Sequence, residues 1–162
     1  MTDSAQYKTA IYAFLEAIGI PLVETRLSEL TFLPGLLIQA GTLLVDPTQL
    51  RYAGDILHEA GHIAVTLPAE RSQLQDNITA NRPDKTGDEL AVLLWTYAAC
   101  HYLDLPLEVV FHRGGYKGQS PWLIDTFSRQ VYVGLPLLVW MGMTQADRFP
   151  LMTHWLRPVM HR

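Results

Sequence analysis

One cysteine stands in 162 residues, so Cys100 can close no internal disulfide, and the fold must hold by packing. That usage suits a reducing compartment. Charge is also sparse: Asp, Glu, Lys and Arg make up 17% of the chain, against roughly a quarter in ordinary globular domains. What charge there is sums to −4. No positive field therefore exists to attract nucleic acid or an anionic membrane surface. Long apolar runs are missing as well. The longest, "VYVGLPLLVWMGM" from Val131 to Met143, is broken by Pro136 and falls short of the ~20 residues that cross a bilayer. The N-terminus carries Asp3 early and Glu16 within its apolar stretch, which is not the pattern of a secretory signal. The expectation is a cytoplasmic protein with no membrane span. Without secretion, the glycosylation-like triplet Asn77-Ile78-Thr79 has no weight.

What remains is nearly half apolar, at 49%, and long enough for one domain with a sizeable core. Residues 4–18 read as an amphipathic helix, with Ser4 as N-cap and Gly19 as its stop. "IPLVETRL" reads as a short strand. Residues 34–47 read as two short strands around Ala40-Gly41, closed by Asp46-Pro47. A helix is expected over 50–66, a polar loop over 68–87 and a second long helix over 87–103. A glycine-rich connection over 112–121 precedes helices at 121–133 and 138–156. The expectation is a single α+β domain over 1–162, helix-rich, with a small sheet in its N-terminal half.

The informative stretch is "DILHEAGHIAV", residues 55–65. On a helical wheel, Ala53, Ile56, Leu57, Ala60, Ile63, Ala64 and Leu67 share one broad face. Arg51, Asp55, His58, Glu59, His62 and Thr66 share the other. The apolar face would anchor the helix, and the polar face would look into a cleft. His58 and His62 lie one turn apart, so their imidazoles can share one Zn²⁺ at about 2.0–2.1 Å each. Glu59 sits beside them without lying between them. It can reach a water that the metal activates and serve as its general base. The simpler alternative is a solvated helix face that happens to carry two histidines. Against it stand the clean apolar back of the helix and Gly61, which costs about 1 kcal/mol relative to Ala mid-helix and hints at a close neighbour. "EAGH" is also the half-motif of di-iron bundles, but Glu108…His112 has the wrong spacing to supply a second copy.

A zinc hydrolase needs a third ligand and an open fourth position. An extended histidine motif fails, because Val65 and Pro68 stand where glycine and histidine are required. A carboxylate on the following helix is the other solution. Helix 87–103 is apolar almost all round, as a buried helix is, and Glu89 stands at its head beside Leu93, Thr96 and Cys100. Glu89 is preferred and Asp88 competes. Thr86-x-x-Glu89 also has the form of a capping box, which offers the glutamate a second employment.

With His58, Glu59, His62 and Glu89 in place, the chain resembles the zincin superfamily of metallopeptidases, most of all its gluzincin branch. The resemblance covers roughly residues 34–100. It implies a zincin-like fold, with a small sheet, an active-site helix beneath it and a glutamate-bearing second helix. It implies one Zn²⁺ per chain and a peptide or protein substrate. The best-known gluzincin pattern has an aspartate four residues after the glutamate, supporting a ligand histidine; here that position is Leu93. Support for the ligand histidines must then come from elsewhere, with Asp55 as the candidate, or the site is less tuned. The chain also lacks room for the large helical domain that completes the cleft in that branch.

An oxyanion donor is expected as well. Tyr116, His112 and Arg113 in "FHRGGYKG" offer one, with Tyr97 behind them. The glycines there would let the loop close over a substrate. The plainer reading makes it a turn with Tyr116 packed on the surface. His154 and His161 read as surface residues, Cys100 as a small core residue, and the four tryptophans as core or interface. The apolar C-terminal third is the part that would bury against a second copy in a homo-oligomer. The leading expectation is thus a small zinc-dependent hydrolase of peptidase type. The alternatives are a catalytically inactive zincin-fold binding or regulatory protein that retains the metal, and a metal-free helical interaction protein. Two histidines and a carboxylate also suit iron, nickel or manganese.

Overall fold

The computed structural model describes residues 2–28, 31–75 and 88–159. The Asn77 triplet, Thr86 of the capping box and His161 lie outside the described residues, as does most of the expected loop over 68–87. Among the described residues the chain is a helix-rich α+β fold with a three-stranded sheet in its N-terminal half.

Helix α1 (Thr2–Ile18) ends at Gly19, whose φ of 92° turns the chain. Strand β1 (Leu22–Glu24) follows. Strands β2 (Leu36–Gln39) and β3 (Thr42–Val45) form a hairpin on Ala40-Gly41. Both turn residues have positive φ, 51° and 75°, as a two-residue turn matched to strand twist requires. The sheet order is β1-β3-β2, with β1 parallel and β2 antiparallel to β3. Leu36 and Ile38 of β2 and Leu43 and Val45 of β3 are buried, so alternation gives the sheet one core face. That face lies on α2, which also packs against α1, α3 and α4.

Helix α2 (Gly54–Ala64) starts four residues later than expected. The cause is Asp46. Its carboxylate accepts the backbone N–H groups of Leu27 (2.9 Å) and Thr48 (3.0 Å), the Thr48 hydroxyl (2.6 Å) and the Gln49 amide (2.8 Å). This holds residues 46–50 in a turn, and those donors keep the carboxyl well below the usual carboxylate range. A 3₁₀ turn over Pro68–Gln73 occupies part of the expected loop. Helix α3 (Asp88–Tyr102) is buried almost all round, as its composition predicts.

Helix α4 (Leu107–Val110) is a single turn, and α5 (Ser120–Ser128) is shorter than the expected 121–133. The long helix expected over 138–156 is absent. Only α6 (Leu135–Trp140) forms there, and Gly142, at φ 79°, then turns the chain. Beyond it, a bridge pairs Thr144 with Met152 and closes a loop. The segment is apolar without a helical period: Met141, Met143 and Phe149 are buried from turns. Trp95 is core and Trp155 packs on it, whereas Trp122 and Trp140 are 53% and 61% exposed.

Candidate metal centre

Of the eleven residues of α2, nine are buried; the two left partly exposed are His58 and His62, and His58 lines a cavity. They project one turn apart, rings edge to face with centroids 5.1 Å apart. Beneath them α3 comes close, because a Cβ at Gly61 would stand 3.0 Å from Val92 Cγ1 and 3.1 Å from Trp95 Cε3. Glycine here is the close approach that its helix cost hinted at. The approach brings Glu89 to both histidines. His58 Nε2 lies 3.1 Å from Oε1, and His62 Nε2 lies 3.2 Å from Oε2.

One ligand atom from each of the three residues falls within 4.8 Å of the others. The histidine side chains are 13% exposed and Glu89 46%, so the group opens on one side to the cavity. Two imidazole nitrogens and a carboxylate converging from two rigid helices fit zinc with a position to spare. Burial works against the Glu89 charge, but hydrogen bonds from His58 and His62 outweigh it and hold the carboxyl well below its ordinary range. Asp88, the competing ligand, acts instead on the Arg157 guanidinium.

Glu59 is 6% exposed, next to His58 on the same helix. Its charge is felt at the Tyr116 hydroxyl. Tyr116 opens a one-turn 3₁₀ segment and is partly buried. Its hydroxyl lies 3.4 Å from His58 Nδ1, on the side of the ring away from Glu89. Burial, then the charges of Asp55, Glu89 and Glu59, push its hydroxyl pKa up, so it stays protonated and able to donate. The backbone achieves this by strain: Tyr116 and Lys117 have φ of 60° and 52°. Left-handed backbone at residues other than glycine costs of order 1–3 kcal/mol and tends to be kept at functional sites.

Asp55 pairs with a third imidazole instead of His58 or His62. Its Oδ1 lies 2.6 Å from His112 Nε2, and His112 is stacked on Tyr52 with centroids 3.6 Å apart. The support at His58 comes from Tyr116. Asp55 still lines the cavity, about 200 Å³ in volume, together with Phe32, Leu33, His58, Tyr116 and Lys117. A second cavity of about 310 Å³ adjoins it across Glu89, Tyr116 and Lys117, walled by Leu93, Trp122 and Leu123. Spacing gave no sign of Phe32, Lys117 or Trp122; the one hint in the sequence was that Lys117 sits inside the glycine-rich loop.

Other expected residues lie elsewhere. Tyr97 is locked in an aromatic cluster with Phe127, Tyr132 and Phe149, and burial pushes its hydroxyl up to about 12. Arg113 is exposed and outside the cavity lining, and His154 is exposed. Burial pushes the Cys100 thiol up to about 12, which removes it as a nucleophile. No helix among the described residues is long and apolar enough to cross a membrane. No protein-family model, curated protein or solved structure matches the chain.

Proposed function

We propose that this chain is a small zincin-like hydrolase that holds one zinc ion and cleaves a peptide or protein substrate. The observation that carries the reading is the convergence of His58, His62 and Glu89 on one point, with Glu59 buried beside them. His58 and His62 would hold zinc through Nε2, and Glu89 through a carboxylate oxygen. When bound, zinc supplies Lewis acidity, polarising a carbonyl and making nearby water more acidic. Glu59 takes the proton of an attacking water on its carboxylate and delivers it to the leaving amine nitrogen. Tyr116 orients the His58 ring through Nδ1, and its protonated hydroxyl is a donor for a developing oxyanion. The apolar walls of the two cavities would receive substrate side chains and exclude water.

Glu59→Gln tests this. Zinc stoichiometry should stay at one per chain while turnover of a peptide library falls by about 10²–10⁴-fold. Retained turnover in the variant would remove the mechanism. A second reading, a zinc-holding binding protein without hydrolysis, is favoured by one observation. Leu93, where the resemblance calls for a supporting aspartate, lines the adjoining cavity as an apolar wall. Wild-type protein that holds zinc but cleaves nothing in the library would select that reading.

A further inference from the structure

The ligand residues stand on α2 and α3, so the separation of these helices sets the span from the histidines to Glu89. A short segment from far along the chain fastens the same pair. The Trp155 carbonyl accepts the indole N–H of Trp95, on α3, at 2.9 Å. Two residues on, the Arg157 backbone N–H donates to the Ala64 carbonyl at 2.8 Å. The Arg157 guanidinium donates through Nη1 to the Val65 carbonyl at 3.2 Å. These are carbonyls that a helix end leaves without intrahelical partners, and a cation there complements the negative end of the α2 dipole.

Arg157 is unusually placed for a capping cation. It is 3% exposed, and its guanidinium lies 5.1 Å from the Trp140 ring. Its own carbonyl accepts from Arg71 Nη2 at 2.7 Å. Asp88 and Glu70 act on it electrostatically, and Asp88 immediately precedes Glu89 at the head of α3. One buried cation thus caps the end of the histidine helix, while the segment that carries it is bonded to α3 through Trp155 and Trp95.

We propose that the segment Trp155–Arg157 is a strap that holds α2 and α3 at the separation the ligand set requires, with Arg157 as its positioning residue. This rests on the metal reading of the site. Arg157 acts through the helices: Ala64 is two residues past His62, so slack at this joint reaches His62 first. A charge-preserving Lys keeps the electrostatic part and loses the planar fork.

The test is zinc affinity, measured by competition with a chromophoric chelator well below the melting temperature of each variant. Cobalt absorption spectra would report the coordination geometry alongside. Arg157→Met should weaken zinc by about 10- to 100-fold, the range for residues that orient ligands, and should alter the cobalt spectrum. Arg157→Lys should recover part of the affinity. Arg129→Met, which removes an exposed cation just past the end of α5 that pairs with Asp125, should change neither. A folded Arg157→Met with wild-type affinity and an unchanged cobalt spectrum would overturn the strap. If Arg157→Met does not fold, Trp95→Phe decides, since it removes the donor to Trp155 and keeps an aromatic ring. A several-fold loss of affinity supports the strap, and none overturns it. Wild-type protein that takes up no zinc would overturn the metal reading and the strap with it, a failure distinct because it appears without any substitution.

Discussion

Glu89 and Asp55 both face imidazole, in opposite settings. Glu89 spans two rings at 3.1 and 3.2 Å and is 46% exposed at the rim of a cavity. Asp55 meets one ring, that of His112, at 2.6 Å, and the two side chains are 7% and 9% exposed. The Asp55–His112 pair is a closed contact, with His112 Nδ1 buried and making no hydrogen bond among the described residues. It is short and enclosed, is clamped by Tyr52, and ties α2 to the loop that carries Tyr116. The Glu89 group has looser contacts, more acceptor capacity and an open side. Partner count and enclosure, more than residue type, separate a joint from a candidate ligand set.

Substitution can break that comparison. His62→Ala should abolish zinc binding, read as metal per chain by elemental analysis. His112→Ala should leave zinc at one per chain but destabilise the fold by about 3–5 kcal/mol, because it strands a buried carboxylate; chemical denaturation measures this. A well-folded His112→Ala that loses its zinc would erase the distinction between joint and ligand set. Tyr116→Phe should fall between the two, weakening zinc by about 10-fold through the freed His58 Nδ1 while leaving the melting temperature nearly unchanged.

The smallest effect concerns a third carboxylate, satisfied without any imidazole. Asp46 is held below its ordinary range by Leu27, Thr48 and Gln49. A depressed folded-state pKa contributes stability that is complete above the unfolded value of about 4. That stability declines as pH falls below it, because the unfolded chain binds the proton first. Asp46→Asn should therefore be less stable than wild type at neutral pH, and the gap should narrow between about pH 4 and pH 2. Urea melts at several pH values would show it, and a gap independent of pH would remove the ionic role of Asp46.

Much of the candidate ligand set was legible because it is local. His58 and His62 share a helix face by spacing alone, and Glu89 could be singled out as a carboxylate at the mouth of a buried helix. The hairpin was legible from Ala40-Gly41. Contacts between distant residues were not: nothing in spacing pairs Asp55 with His112, 57 positions away. The assignment of Asp55 to a ligand histidine failed for that reason. Tyr116 was a candidate from its loop alone; its contact with His58, 58 positions away, depends on left-handed backbone that a non-glycine sequence does not advertise. The long helix over 138–156 was inferred from apolar content, which buried turns share.

The burial of α2 has a consequence for the order of folding. Its nine covered residues rest on the sheet and on α1, α3 and α4, and its end is fastened by a residue 92 positions beyond Val65. Such distant closures are slow to form. Until they form, the two histidines and Glu89 have no fixed relation to one another. A peptide cut from "DILHEAGHIAV" would carry the motif without Glu89 and without the packing that sets it against the two histidines.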